Sequence, residues 1–375
     1  MSHLAMDVRY AASFVVPLVA TLFLAPVAGR LARRWGILDH PSDHKFHREA
    51  TPYLGGLAVA AGLVLVGAFA AGASGQVLTI LLCAIAMSFM GFVDDWRTVG
   101  PRVKLAVETG AGVALWTVGV RAGLFGVPAL DLLVTVAWVI VVTNAFNIVD
   151  NMDGVASGIG AIAAMWFFAL AAQRGDYLVG SLALAVAGAS LGFLRHNYPP
   201  ARIFLGDAGS LLIGFLLAAL ALKLDLVGES GVIRSAVPVL ILAVPLFDLV
   251  LVVISRTRGG RPIYVGGTDH SAHRMASLGW THQRVATMLY GAAALFGACA
   301  VAIARLSDRT ATDVVVVCAV VLTGGLVLLL GLERGAATEE ATIDLATNAQ
   351  EETVVMPDVD AAMLVTDRMG SAQPP

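Results

Sequence analysis

A chain of 375 residues that is 58% hydrophobic and 14% charged, with a mean hydropathy of +0.81, carries more apolar side chain than a water-soluble fold of that length can bury. That excludes a soluble globular protein, and a net charge of −3 gives no sign of a nucleic-acid partner. What remains is a protein of the lipid bilayer, in which about 20 apolar residues make one crossing.

In chain order, about eleven apolar stretches meet that length, separated by Gly, Pro or charge. They lie near 10 to 29, 54 to 72, 76 to 93, 105 to 122, 129 to 147, 154 to 172, 177 to 194, 207 to 227, 232 to 255, 285 to 304 and 313 to 332. The expected fold is therefore all-α, a polytopic helical bundle of about 11 transmembrane helices occupying residues 1–332. Behind the first stretch stand Arg30, Arg33 and Arg34 rather than a small-residue cleavage site, so that span is expected to be retained. From Glu333 onward there are nine acidic residues against two basic ones and a Gln-Pro-Pro end, which reads as a disordered acidic cytoplasmic tail, 333–375. Cys83, Cys299 and Cys318 fall inside apolar stretches without metal-ligand spacing and read as inert thiols.

An odd number of spans divides the connections into two sets. The loops after spans one, three, seven and nine, with the tail, hold 17 of the 24 Lys and Arg residues. By the positive-inside rule this set faces the cytoplasm, the N-terminus lies outside and the C-terminus inside.

Ionisable residues at the ends of apolar spans mark function, because lipid makes them costly. Asp94 and Asp95 close the third span, Asp150 and Asp153 follow the fifth, and Asp207 opens the eighth, all on the face assigned to the cytoplasm. Five carboxylates gathered in low dielectric repel one another unless something positive stands among them. An all-oxygen donor set suits Mg²⁺ (or Mn²⁺) rather than zinc, since such an ion keeps waters and bridges to substrate phosphates. Basic and imidazole groups are at hand in Lys45 and His47, Lys104, and His270, His273 and Arg274. Acid, metal and base beside a polar loop suit phosphoryl transfer.

Each feature also has a plain structural explanation. Asp94 and Asp95 could end a helix, Asp207 could cap the next one, and Asn144 and Asn147 could be interhelical hydrogen bonds. Gly55-Gly56 could allow close helix approach, and the GGRP at 259 to 262 could be a turn. Their joint occurrence on one face is what capping alone does not explain.

At these residues the sequence resembles the polyprenyl-phosphate N-acetylhexosamine-1-phosphate transferase superfamily (glycosyltransferase family 4), over about residues 30 to 290. The pieces that carry the resemblance are Pro41, Asp43, Lys45 and His47 with Thr51-Pro52 and Gly55-Gly56; Asp94-Asp95; Asn144, Asn147, Asp150 and Asp153; Gly206-Asp207 with Gly209-Ser210; and His273, Arg274 and Met275. The resemblance implies a ten- or eleven-span fold whose cytoplasmic cleft binds a nucleotide sugar, Mg²⁺ and a lipid phosphate. It implies that Asp207 is a metal ligand, joined by Asp150, and that Asp94 is the base, with Asp95 assisting. It further implies that Asn147, Asp150 and Asp153 lie in the donor pocket with Asn144 and Gly206, and that His270 and His273 approach the diphosphate or sugar.

One departure is Ala272, which stands where the family's histidine motif usually has a further imidazole. With the short segment before the tenth span, this favours a UDP-GlcNAc donor and an undecaprenyl-phosphate acceptor over the phospho-MurNAc-pentapeptide translocases. The reaction implied is transfer of GlcNAc-1-phosphate to the lipid at the inner membrane with release of UMP, starting a cell-envelope glycan. Direct and double displacement both remain open in the sequence. A secondary transporter would hold its carboxylates near the midplane, and an intramembrane aspartyl protease would want two facing aspartates without three more beside them. The Gly and Ala content is compatible with a homodimer through small-residue faces.

Overall fold

The computed structural model describes residues 3–39, 50–70, 74–224, 226 and 229–354. Lys45 and His47 lie outside the described residues. Thirteen helices follow in chain order among those described: α1 (His3–Trp35), α2 (Gly55–Ala70), α3 (Gly75–Trp96), α4 (Pro101–Thr117), α5 (Pro128–Val149), α6 (Val155–Arg174), α7 (Tyr177–Asn197), α8 (Gly206–Lys223), α9 (Gly231–Ile241), α10 (Ala243–Arg258), α11 (Ser271–Ser277), α12 (His282–Ile303) and α13 (Asp308–Val354). Two short strands, β1 (Leu38–Asp39) and β2 (Thr51–Pro52), pair antiparallel with Leu38 opposite Pro52. Residues up to Leu326 form one compact unit and those from Val327 a second.

Every one of the eleven expected stretches is helical at its centre, yet among the described residues eight helices are long and apolar enough to cross a membrane, or nine if a bent pair is one span. Three stretches account for the difference. At 54 to 72 and 105 to 122 stand the shorter helices α2 and α4, of 16 and 17 residues. The expected straight span at 232 to 255 is broken into α9 and α10, bent by 79°. The break has a local cause: Pro245 has no N–H to give the carbonyl of Ile241, and Pro238 interrupts the preceding turn in the same way. At the C-terminus α13 runs past Leu332 to Val354, a stretch rich in the helix formers Ala and Glu, where the sequence reading expected a tail without structure.

Helix α8 is the central column of the first unit, with every residue from Ala208 to Leu220 buried. Helices α3, α5, α2 and α6 surround it. Helix α1 shows Val15, Phe23 and Val27 on its outer side and the first part of α13 shows Val316, Val320 and Val321, as a lipid-facing helix does.

The site depends on how closely α8 begins against its neighbours. A Cβ on Gly56 of α2 would stand 2.1 Å from the backbone nitrogen of Gly209, and one on Gly91 of α3 would stand 2.3 Å from the carbonyl carbon of Asp207. Backbone therefore touches backbone at both places, an approach that only glycine permits. Gly91→Ala and Gly56→Ala should each lower the thermal midpoint in detergent and the yield of folded protein. Gly110→Ala in α4, where an added Cβ meets nothing within 4 Å, should leave both unchanged or improved.

Candidate active site

The first N–H groups of a helix have no partner within it. At α8 they are satisfied from another helix: Asp95, in the last turn of α3, accepts from the backbone N–H of Asp207 at 2.8 Å and of Ala208 at 3.1 Å. Gly206, at φ +67, makes the turn that allows this, and a side chain there would collide with the Asp95 carboxylate. Asp95 was expected to assist catalysis; its oxygens are engaged in capping α8, although the residue borders the cavity described below.

Asp94, just before the capping residue, and the side chain of Asp207 make the polar knot. Lys104, in the first turn of α4, places Nζ 2.6 Å from Asp94 Oδ2 and 2.7 Å from Asp207 Oδ2. Asp94 Oδ1 accepts from the backbone N–H of Val99 at 2.5 Å. Asp207 Oδ1 accepts from Asn147 Nδ2 at 2.7 Å, which also donates to Ser210 Oγ at 3.1 Å. Four helices, α3, α4, α5 and α8, thus meet at two carboxylates and one lysine. Asn144, one turn before Asn147, turns elsewhere and donates to Glu108 Oε2 at 2.9 Å and to the carbonyl of Ile140. It is an interhelical hydrogen bond and not part of the cavity wall.

Beside the knot lies a cavity of about 710 Å³ lined by Asp95, Asn147, Asp150, Asn151, Asp153, Gly206, Asp207, His273 and His282, with Arg33 and Arg202 also on its wall. Asp39 and Ala50, on either side of the segment that contains Lys45 and His47, border it too. The loop from α5 to α6 is fixed where it enters α6. Asp153 Oδ2 accepts from the N–H of Ala201 at 2.8 Å, and Asn197 Oδ1 accepts from that of Gly154 at 2.9 Å while its amide donates to Ile203. Tyr290 of α12 donates to the carbonyl of Gly154 at 2.7 Å.

Asp150 ends α5 and faces the cavity, and burial raises its carboxyl far above the usual range, with Asp207, Asp95 and Asp153 adding to the rise. Lys104, Arg33 and Arg202 are three cations against the six carboxyl groups of Asp39, Asp94, Asp95, Asp150, Asp153 and Asp207. Among the described residues no three or more His, Cys, Asp or Glu side chains converge as a closed metal cage. A hard divalent cation that keeps waters and takes further ligands from phosphate needs few protein oxygens; Asp207 and Asp150, the carboxylates expected to hold one, both border the cavity.

The histidines divide. His273 borders the cavity, and burial first, then the neighbouring His270, lowers its pKa to about 4. His270 is buried behind it with the ring centroids 5.5 Å apart, and its Nδ1 lies 3.0 Å from Oδ2 of the fully buried Asp248. Arg274, expected to bind substrate, is buried away from the cavity and donates to the carbonyl of Asp269 and to Ser255 Oγ. Asp269 is the hub of that network, pairing with Arg256 and Arg261. Burial acts to raise its carboxyl, but hydrogen bonds from Arg261, Arg256 and Ser255 outweigh it and hold the pKa below the usual range.

The sequence reading passed over Asp248, Glu108 and Asn197. The first two sit inside apolar stretches, so the rule that flags ionisable residues at membrane depth would have found them. Asn197 has no such signal, since its role is set by a loop that comes beside it only in the fold.

The bundle is that of a multi-pass membrane protein, and residues 77–225, which contain Asp94, Asp95, Asn147, Asp150, Asp153 and Asp207, match the profile of glycosyl transferase family 4. Over 294 residues the chain is 32% identical to a probable undecaprenyl-phosphate N-acetylglucosaminyl 1-phosphate transferase of Bacillus subtilis, covering 76% of this chain and 82% of that one. It is 31% identical over 358 residues to a decaprenyl-phosphate N-acetylglucosaminephosphotransferase of Mycobacterium tuberculosis, covering 84% and 88%. A phospho-N-acetylmuramoyl-pentapeptide-transferase of Nostoc is 29% identical, with 78% and 82% covered. The chain belongs to glycosyl transferase family 4.

Two measurements check the electrostatics. Lys104→Met leaves Asp94 and Asp207 facing each other without their cation, and should cost roughly 3 kcal/mol of stability near neutral pH, partly restored by acid or by Mg²⁺. For His273, the folded pKa of about 4 lies below the unfolded value near 6.5, so the unfolded chain binds the extra proton between them. The stability that His273 contributes is complete above about pH 6.5 and is lost as pH falls toward 4; a histidine NMR titration should place its midpoint near 4.

Proposed function

We propose that this chain transfers GlcNAc-1-phosphate from UDP-GlcNAc to a polyprenyl phosphate, undecaprenyl phosphate by preference, giving a sugar-diphospho-polyprenol and UMP. The observation that carries this reading is the knot of Lys104, Asp94, Asp207 and Asn147 at the start of α8, set beside an acidic cavity. The names of the Bacillus and Mycobacterium relatives point to the same donor group and acceptor class. The pentapeptide-transferase relative is the weaker match, and Ala272 in the histidine motif argues against that branch.

Donor and acceptor are both anionic, so the first task of the site is to let two phosphate groups approach. Mg²⁺ on Asp207 and Asp150 would supply the larger part of that neutralisation and would stabilise the departing phosphate. Lys104 supplies a fixed positive charge between the two acids, and the amide of Asn147 holds Asp207 in place. Asp94 takes the proton of the lipid phosphate, whose oxygen then attacks the phosphorus that carries the sugar. The bond from that phosphorus to the bridging oxygen breaks, and UMP leaves with its electron pair. His273, uncharged at neutral pH, offers a hydrogen bond to the diphosphate or sugar without holding the product by charge.

The orientation assigned by basic residues supports a cytoplasmic site. Arg33, Lys104 and Arg202, all from the loop set richer in Lys and Arg, stand at the same end of the bundle as the five aspartates. On this reading the enzyme lies in the cytoplasmic membrane with its N-terminus outside.

Purified protein in detergent, given polyprenyl phosphate, Mg²⁺ and a panel of UDP-sugars, should release UMP with UDP-GlcNAc and only when the lipid is present. Asp94→Asn should lower the rate by about 100-fold or more, and Asp207→Ala should abolish it or raise the Mg²⁺ concentration required. Release with UDP-MurNAc-pentapeptide alone would move the chain to the other branch. No release from folded protein with any donor would overturn the assignment.

A further inference from the structure

Asp248 takes part in none of the steps above, yet it is the most completely enclosed ionisable side chain near the cavity. It lies on α10 just beyond the 79° bend and is 0% exposed. A buried carboxylate persists only where its lone pairs are satisfied. Here Oδ1 accepts from the backbone N–H of Ser271 at 2.7 Å, and Oδ2 lies 3.0 Å from His270 Nδ1 and 3.4 Å from Asn151 Nδ2. These partners come from the start of α11 and from the loop after α5, so one carboxylate joins the histidine segment to the aspartate motif.

Facing a carboxylate, the Nδ1 of His270 is a donor, which leaves Nε2 on the opposite edge of the ring as the acceptor in the neutral form. The ring packs 5.5 Å from that of His273, which borders the cavity, and Asn151 borders it as well, with a buried Oδ1 that has no hydrogen-bond partner.

We propose that Asp248 is a positioning residue of the active site, fixing His270 in its Nδ1–H tautomer and tying it through Asn151 to the wall of the cavity where the substrate rests. The kinetic side of this inference rests on the transferase reading; the tautomer does not. An aspartate that served only to hold α11 against α10 would be replaced well by asparagine. The amide oxygen still accepts from Ser271, and the amide nitrogen donates to His270 Nδ1, so both bonds to the histidine segment survive while the proton of the ring moves to Nε2; only the longer contact from Asn151 Nδ2 is given up.

Asp248→Asn is therefore the informative change. In protein labelled with ¹⁵N-histidine, His270, assigned by the signal lost in His270→Gln, should carry its proton on Nδ1 in the wild type and on Nε2 in Asp248→Asn. The variant should keep the wild-type thermal midpoint and the KM for the donor while kcat falls by about 10- to 100-fold, the range seen when a residue that orients a functional histidine is changed. Adding Asp248→Asn to His270→Gln should cost no further activity, because the first acts through the second. Asp248→Glu keeps the charge and the tautomer and should recover part of kcat; it carries the kinetic test should the asparagine variant not fold. A proton on Nε2 in the wild type would overturn the proposal, as would a swapped tautomer with unchanged kcat, or additive losses in the double variant. Absence of UMP release from wild-type protein would instead sink the transferase reading, leaving the NMR result to decide the tautomer alone.

Discussion

The contact on which the rest of the site depends is the one between the Asp95 carboxylate and the open N-terminus of α8. A helix that is buried from Ala208 to Leu220 cannot leave its first N–H groups to water, and no residue just before Asp207 supplies a side-chain cap. Drawing the cap from α3 fixes two helices end to end, and the fixed ends put Asp94 and Asp207 close enough to share Lys104. The glycines at 56 and 91 are the condition for that approach, because the backbone of α8 occupies the space where their side chains would be. Capping and a polar cluster, which the sequence presents as competing explanations of the same residues, are here one arrangement in which the cap holds Asp94 and Asp207 together at Lys104.

How much of this was legible in the amino-acid order varies with the length scale of the cause. Membrane residence follows from composition, and the helices follow from runs of apolar residues, since in lipid the backbone has few other ways to satisfy itself. The grouping of Asp94, Asp95, Asp150, Asp153 and Asp207 on one end followed from counting spans, and the fold does bring all five to one place. The division of labour within the group did not follow. Nothing in Asp94-Asp95 says which neighbour caps a helix 112 positions away and which pairs with a lysine. Likewise Asn144 and Asn147 are one turn apart on one helix, but the first meets Glu108 and the second Asp207, a difference set by the packing of α4 and α8.

The bend between α9 and α10 was missed for a different reason. Pro238 and Pro245 were visible, but an apolar run long enough for a membrane span reads as one helix unless the prolines are weighed as well. The bend gives α10 its own direction, and with it the placement of Asp248. Arg274 shows the opposite error. A basic residue beside candidate histidines invites a substrate role, whereas the fold buries it in the network around Asp269.

A contact made of backbone against backbone has nothing to vary. Substitution elsewhere in a protein can adjust volume or polarity by degrees, but at Gly56 and Gly91 any change is a step outward, so the spacing at the start of α8 admits one value. Variation in the shape of the cavity is then left to lining residues such as Asn151, Arg202 and His273, which side-chain changes can alter singly.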